Sequence, residues 1–217
     1  MQKRRSYEQN CPIAKSLDLL GERWTLLIFR ELLGGARRYS DLRAELPGIA
    51  SNLLAARLRE LEEAGLIERN ELPPPAARTV YSMSKAGWRQ VLPILQSFAR
   101  FGLSMVTPPD DGDDSTPLNG FLAGILLAFD PSRARSTHAD YQAMISGRTF
   151  EFSVRDGALG PGEGEPSVRL TARAADLVRF RLADDAQLRQ QAASQIQIVG
   201  DTRAVNRFRS MFTLTAS

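Results

Sequence analysis

The sequence predicts an α+β protein in two parts, a helix-rich front half and a rear half that mixes strands with helices. Apolar residues recur at helical spacing through the front half, whereas several rear segments alternate apolar and polar residues as half-buried strands do. Between the two, residues 107–117 contain prolines, four aspartates and no aliphatic residue, a composition typical of a linker. We therefore predict domains at residues 1–106 and 118–217.

The composition narrows the class of protein. The chain has 217 residues, of which 43% are apolar, enough to bury one or two cores. Its single cysteine excludes an internal disulfide, and one histidine beside one cysteine is too few for an ordinary zinc site. No apolar run approaches the roughly 20 residues of a membrane span, and the basic N-terminus lacks the apolar core of a secretory signal. We expect a cytoplasmic protein with no membrane partner, metal or other cofactor.

Charge is divided unevenly along the chain. Residues 1–105 carry 16 Lys and Arg against 11 Asp and Glu, whereas residues 106–217 carry 12 against 14. A basic front half favours contact of that half alone with a polyanion.

The front half has the spacing of a helix-turn-helix followed by a hairpin. A first, mostly buried helix is predicted by apolar residues at helical spacing, Trp24, Leu27, Ile28 and Leu32. A second helix begins near Ser40 as N-cap, with Leu42 and Leu46 facing inward; Pro47-Gly48 breaks it, and a third runs from an N-cap at Ser51 to Gly65. Two strands follow, residues 66–72 and 78–83, around the turn sequence PPPAA, which makes a winged arrangement. A long helix over residues 84–105, kinked at Pro93, carries two apolar strips and so predicts a second packing partner.

The third helix carries the clearest candidate surface. If Leu54, Leu58 and Leu61 face the core, small and hydrogen-bonding residues face outward, which lets a helix approach base edges in a major groove. Asn52 suits adenine and Arg59 suits guanine, while Arg57 on the flank suits a phosphate. The alternative is a solvated amphipathic helix. The candidate DNA-binding residues are Arg38, Tyr39, Ser40, Ser51, Asn52, Ala55, Ala56, Arg57, Arg59 and Arg78.

Residues 8–105 resemble the HxlR family of bacterial transcription regulators, relatives of the MarR winged-helix proteins. Cys-Pro, Gly-x-Arg-Trp, Arg-Arg-aromatic-Ser and Tyr-Ser-x-Ser elements occur in the family's order and spacing. The resemblance implies a nucleoid-associated homodimer that reads a pseudo-palindrome in double-stranded DNA, with the Trp88–Met105 helix and the N-terminal segment at the dimer interface. The wing departs from the pattern, since "RTVYS" lacks the acidic residue that often precedes the Tyr.

Cys11 is a redox candidate. It matches the position of the sensing cysteine in several HxlR-type regulators, and Arg4, Arg5 and Lys15 favour a thiolate. Without a second cysteine, oxidation gives an intersubunit disulfide, a mixed disulfide or an adduct. The alternative is a small apolar residue packed at a dimer interface.

The rear half offers no catalytic pattern. His138 lies in the polar sequence "RSTHADY" without a nearby nucleophile, and the Gly-rich residues 157–166 lack the helix that a phosphate loop requires. We therefore predict that the protein is not an enzyme. Residues 149–155, 167–172 and 196–199 predict strands, with amphipathic helices around them.

Residues 118–215 resemble sterol-carrier-protein-2-like domains, in which a strand with Thr leads into a helix and a late V-x-G-D sequence opens the last helix. The resemblance implies an α/β sandwich-like domain with a tunnel for an apolar small molecule. The alternative is a solid core. The candidate effector-binding residues are Phe121, Phe129, Phe150, Phe152, Phe180, Phe208 and Phe212.

Three functional hypotheses follow. The first is a dimeric DNA-binding regulator whose rear domain binds an apolar effector. The second keeps DNA binding but makes Cys11 the sensor, with the rear domain used for dimerisation or partner binding. The third makes the rear domain a lipid carrier or degenerate enzyme and the winged helix a protein–protein module; salt-dependent DNA binding separates it from the others.

Overall fold

The computed structural model describes residues 6–74, 78–107, 109 and 116–212. By its internal contacts the chain divides into two compact units, Met1–Gly87 and Trp88–Ser217. The predicted linker lies partly outside the described residues, and the boundaries at residues 106 and 118 stay a prediction. No helix in the described part of the chain is long and apolar enough to cross a lipid bilayer.

The first unit is a helix-turn-helix followed by a hairpin, as predicted. Its helices are α1 (Pro12–Leu20), α2 (Thr25–Leu32), α3 (Tyr39–Glu45) and α4 (Ser51–Glu63), and its strands are β1 (Ile67–Leu72) and β2 (Arg78–Met83).

The core of the first unit fixes the orientation of α4. Leu54, Leu58 and Leu61 are each no more than 1% exposed, and Leu42 and Leu46 are equally buried. Burying each leucine contributes roughly 1.5–3 kcal/mol, so rotating α4 about its axis would be costly. The predicted inward faces of both helices are confirmed.

The first predicted helix differs from expectation at Trp24 and Leu27. Trp24 has φ of 85°, in the left-handed region, and directly precedes α2. The buried face of α2 runs through Ile28, Phe29 and Leu32. Leu27 lies one helical step, about 100°, away from Ile28 on the side opposite Phe29, and it is 38% exposed. The prediction that Leu27 is buried was wrong for this reason.

The turn between α3 and α4 depends on Gly48, whose φ of +93° is favoured by glycine. Ala50 is the N-cap of α4 and Ser51 is its first helical residue, so the N-cap lies one residue before the predicted position. Arg38 likewise caps α3, where Ser40 was predicted.

The hairpin is joined to the segment before α3. β1 and β2 pair antiparallel from Ile67 opposite Met83 to Leu72 opposite Arg78. The Arg37 backbone N–H donates to the Tyr81 carbonyl at 2.8 Å, and the Tyr81 N–H donates back to the Arg37 carbonyl at 2.7 Å. The wing and the start of α3 therefore hold each other in place.

The second unit is a five-stranded mixed sheet with helices. α5 (Lys85–Leu103), most of which belongs to this unit, runs through Pro93 without a break, and the bend predicted there stays a prediction. The sheet order is β5-β4-β3-β6-β7, with β3 and β6 parallel and the other pairs antiparallel. The remaining elements are α6 (Pro117–Phe121), a π-helical turn (Leu122–Leu126), a 3-10 helical turn (Pro131–Arg133), β3 (His138–Ile145), β4 (Arg148–Arg155), β5 (Ala158–Pro161), β6 (Val168–Ala172), α7 (Ala174–Leu182), α8 (Ala186–Ser194), β7 (Gln197–Gly200) and α9 (Thr202–Met211).

The sequence prediction missed β3, which is the central strand of this sheet. Tyr141, Ala143 and Ile145 are buried and alternate with more exposed residues. Two of the inward positions, Ala139 and Ala143, are alanines, whose small side chains are only weakly apolar. The alternation of apolar and polar residues was therefore not recognisable in a segment that looked polar. His138 is the first residue of this strand, and its imidazole is exposed at the strand's end.

Six of the seven predicted effector-binding phenylalanines, all but Phe180, belong to one ring cluster. Phe121, Phe150, Phe152, Phe208 and Phe212 are each no more than 1% exposed and Phe129 is 7% exposed, whereas Phe180 is half-buried. Ring centroids lie 4.5 Å apart for Phe121 and Phe150 and 4.4 Å apart for Phe208 and Phe212. Such spacings are those of packed aromatic pairs in a core, so a ligand among these rings would have to displace them.

Candidate nucleic-acid interface

The outward face of α4 is small and open to solvent. Ser51, Asn52 and Arg59 are exposed, and Ala55 and Ala56 are half-buried. With the leucines on the opposite side held in the core, this face cannot turn away. The arrangement leaves room for a close approach by another molecule along the first two turns of the helix.

Two side chains on this face carry hydrogen-bonding groups of the kind that base reading requires. The Asn52 Oδ1 accepts from the Leu53 backbone N–H at 2.9 Å, and this contact is exposed to solvent. The Arg59 Nε donates to the Ala55 carbonyl at 3.4 Å, a long and weak bond. In the described part of the chain Arg59 has no ion-pair partner, so no carboxylate holds its guanidinium in place.

Arg57 is a correction to the sequence prediction. Its side chain is only 12% exposed and forms ion pairs with Glu60 at 2.5 Å and Glu22 at 3.3 Å. A guanidinium already held by two carboxylates is not free to bind a phosphate. Arg57 instead ties α4 to the segment before α2 and so helps to position the helix.

At the start of α3, Tyr39 also acts inside the protein. Its hydroxyl donates to the Ser51 carbonyl at 2.7 Å and links the first turns of α3 and α4. While this bond lasts, the hydroxyl cannot donate to a DNA phosphate. Asp41 accepts from the Arg38 backbone N–H at 3.1 Å, which leaves the exposed Arg38 guanidinium and the Ser40 hydroxyl at the surface.

On the wing, Arg78 is exposed at the first position of β2. Residues 75–77, at the tip of the hairpin, lie outside the described residues. Arg69 on β1 forms an ion pair with Glu71 at 3.7 Å. Arg78 is thus the predicted wing cation that remains open to a backbone contact.

Sequence reasoning missed the residues that support the interface. Glu22 was not predicted because its partner Arg57 lies far along the chain, and periodicity gives no long-range pairing. Arg37 was not predicted because its role lies in backbone hydrogen bonds to Tyr81, which no side-chain pattern signals.

Known proteins match the part of the chain that contains this surface. The family model for the HxlR-like helix-turn-helix covers residues 19–109. The HTH-type transcriptional regulator YvaP of Bacillus subtilis is 34% identical over 99 residues, which are 45% of this chain and 91% of the relative. The chain belongs to the HxlR-like helix-turn-helix family.

Further relatives of this HxlR-like regulator match the same half. The HTH-type transcriptional regulator YodB of Bacillus subtilis is 36% identical over 78 residues, 36% of this chain and 70% of the relative. Among solved structures, a MarR-family transcriptional regulator from Porphyromonas gingivalis W83 is 33% identical, covering 48% of this chain and all of that chain, with a TM-score of 0.42.

Cys11 lies at a half-exposed position directly before α1. Its carbonyl accepts from the Lys15 N–H at 2.9 Å, while its side chain makes no capping hydrogen bond. Exposed apolar residues surround it in sequence, with Tyr7 60% exposed and Ile13 70% exposed. Within the described residues no three His, Cys, Asp or Glu side chains are grouped as they would be to hold a metal ion.

Proposed function

We propose that this HxlR-like regulator binds double-stranded DNA as a homodimer, with one α4 helix of each subunit in successive major grooves. The observation that carries the proposal is the exposed face of α4, where Asn52 and Arg59 stand beside two alanines on a helix fixed by its buried leucines. Arg38, Ser40 and Arg78 supply backbone contacts, and the exposed Ser51 at the N-terminus of α4 offers a hydroxyl and an N–H to a phosphate.

An exposed apolar face supports the dimer. Phe98, Phe101 and Met105 on and just after α5 are 61%, 74% and 70% exposed. Apolar groups this large are costly to leave in water when they form a patch, and they are typical of contacts between protein chains. A twofold dimer would place two α4 helices about 34–36 Å apart for one helical turn of DNA.

The experiment compares Arg59→Ala with the wild-type chain on a duplex recovered by selection and on a random duplex. Arg59→Ala should weaken specific binding by about 1–3 kcal/mol and leave random binding nearly unchanged. Arg209→Ala, which removes an equal charge from the exposed surface of α9, is the control. Equal losses on both duplexes would contradict base reading by Arg59, and absence of salt-dependent binding would favour the winged helix as a protein–protein module.

We propose further that the second unit binds a small-molecule effector, in keeping with its resemblance to sterol-carrier-protein-2-like domains. An effector changes DNA affinity only if it binds one spacing of the two α4 helices better than another. A ligand could enter the predicted Phe-lined site only at a cost in packing free energy, because six of the seven rings are almost fully buried and pack against one another. Displacing them would give up the core contacts that they make.

A second candidate function is thiol-based sensing by Cys11. Its half-exposed side chain, free of any capping bond, supports access by an oxidant or electrophile. Cys11→Ser should then abolish the effect of diamide on DNA binding. If the variant responds to diamide as the wild-type chain does, this candidate is wrong.

A further inference from the structure

The second unit contains an open cavity of about 220 Å³ beside the ring cluster. It lies where the start of β3, the residue before β6 and the first turns of α9 meet, and Ala139, Ala204 and Tyr141 give it an apolar wall. Drug-sized ligands usually occupy cavities of roughly 300–1,000 Å³. This one therefore suits a small molecule and is too small for a long-chain lipid.

Tyr141 gives the cavity an unused polar group. The residue is 3% exposed, with its ring centroid 5.3 Å from that of Phe208 and 5.4 Å from that of Phe152. Among the described residues its hydroxyl has no hydrogen-bond partner. Because the cavity is open, this hydroxyl can donate to water in the free protein, and an acceptor on a ligand in the cavity would take the place of that water.

The Tyr141 hydroxyl remains a donor at neutral pH. Burial raises the pKa of Tyr141 above its ordinary value, against the opposing effect of the positive charges on Arg207 and Arg155. The phenol therefore keeps its proton. A neutral O–H next to cationic groups suits a ligand that carries acceptors and a negative charge.

Arg207 is held in place at the cavity. Its Nε donates to the Thr137 hydroxyl at 3.1 Å, and one terminal amino group donates to the Ser136 carbonyl at 2.8 Å and to the Ser136 hydroxyl at 3.1 Å. In the described residues the other terminal amino group has no partner. The guanidinium is thus oriented by the protein and still has a donor to offer.

The other charges at the cavity also favour an anion. Arg203, one turn before Arg207, has an exposed side chain with no partner among the described residues. Asp201 is the N-cap of α9, and its Oδ1 accepts from the N–H groups of Arg203 at 2.9 Å and Ala204 at 3.0 Å, while its Oδ2 has no hydrogen-bond partner among the described residues. His138 at the rim is paired with Asp156 at 2.8 Å. The lining therefore carries the two guanidinium groups of Arg203 and Arg207 against the one carboxylate of Asp201, and this excess of positive charge favours an anion.

We propose that this cavity binds a small carboxylate with a compact apolar body, whose carboxylate accepts from the Tyr141 hydroxyl and from Arg207. The apolar body would lie on Ala139 and Ala204, which a bare hydrated anion would leave uncovered. The proposal deepens the effector part of the proposed function by giving the ligand a place and a chemical class. The ligand would thus bind outside the ring cluster, in a cavity lined by Tyr141, whose ring packs against that cluster.

The experiment titrates the full-length chain with sodium benzoate by calorimetry, without DNA, so loss of DNA binding does not affect the result. Tyr141→Phe keeps the ring in the core and removes only the hydroxyl, and Arg207→Gln removes the charge. Each should weaken benzoate binding about tenfold or more. Arg209→Ala, on the same helix, should leave it unchanged, and thermal unfolding checks that each variant is folded.

Two further probes test the chemical class. Benzamide, which has the shape of benzoate without the charge, should bind at least about tenfold more weakly. Inorganic phosphate, which lacks the apolar body, should also bind more weakly. The proposal is overturned by absence of saturable benzoate binding, by equal binding of benzamide or phosphate, or by a folded Tyr141→Phe variant that binds as the wild-type chain does.

Discussion

Arg57 and Arg59 lie two positions apart on α4 and have different surroundings. Arg57 is 12% exposed between Glu22 and Glu60, whereas Arg59 is exposed with one long bond to its own helix. Arg57→Ala leaves two carboxylates without their cation and should lower the free energy of unfolding by about 1–2 kcal/mol. Arg59→Ala should change it by less than about 0.5 kcal/mol. Hydrogen exchange of the α4 amides measures both.

The two variants also distinguish a residue that positions α4, Arg57, from one that is proposed to contact bases, Arg59. Arg57→Lys restores a charge between the carboxylates and should recover part of the stability, although Lys lacks the planar fork. If Arg57→Ala left the protection of the α4 amides as in the wild-type chain, the account of Arg57 as a positioning residue would be wrong.

For single residues, the sequence predicted which way the side chains of α4 point but not which residues they contact. The apolar spacing of the three leucines correctly placed Asn52 and Arg59 on the outer face. The same spacing could not place the end of the long Arg57 side chain, which bends toward Glu22. Likewise Tyr141 was missed, because the value of its hydroxyl depends on what surrounds it and not on its place in a pattern.

The turn of the helix-turn-helix depends on one backbone angle. Gly48 has φ of +93°, where a β-carbon is strained by about 1–2 kcal/mol. Gly48→Ala should therefore destabilise the first unit by about that amount and weaken DNA binding, because the turn sets the angle between α3 and α4. Gly48→Asn should cost less, since Asn enters the left-handed region more readily. Urea denaturation measures both; an equal or smaller cost for Gly48→Ala would contradict this.

One carboxylate links three segments of the second unit. Asp140 on β3 accepts from the Glu163 N–H at 3.0 Å and from the Arg155 guanidinium, and its side chain is 11% exposed. Burial alone would raise the pKa of Asp140, but the Glu163 N–H and Arg155 hold it below its ordinary value. Its contribution to stability is thus present above the unfolded-state pKa of about 3.9 and is lost as the pH falls through the lower folded-state pKa.

Asp140→Asn should accordingly destabilise the chain by about 1–3 kcal/mol at neutral pH and by clearly less near pH 3. Urea denaturation at the two pH values gives the difference, and Asp184→Asn, at an exposed carboxylate, is the control. A loss that is the same at both pH values would mean that the ionised carboxylate is not what stabilises this region.

At the scale of elements, local patterns predicted the winged helix well and the second sheet less well. α3, α4 and the hairpin were found because each has strong breakers at its ends, such as Pro47-Gly48 and residues 73–77. β3 was missed because alanines fill two of its inward positions, and the parallel pairing of β3 with β6 depends on contacts far apart in sequence.

For the whole molecule, the exposed apolar face of α5 predicts self-association. Phe101→Glu places a charge where the second copy would pack and should convert a dimer to a monomer. It should also weaken operator binding strongly, because two half-sites would no longer be bound together. Leu188→Glu makes the same change at a 50% exposed residue of α8 and should leave the dimer intact. Analytical ultracentrifugation measures the oligomeric state of both variants. If Phe101→Glu remained a dimer, the assignment of this face to the dimer interface would be wrong.

We propose above that α4 of an HxlR-like homodimer reads DNA. The most direct measurement is selection of sequences from random duplexes by the full-length wild-type chain and by Arg59→Ala in parallel. We expect an inverted repeat with half-sites about one helical turn, or a multiple of it, apart, and relaxed preference at one symmetric base pair for the variant. No enriched sequence, or an inverted repeat that Arg59→Ala leaves unchanged, would contradict it.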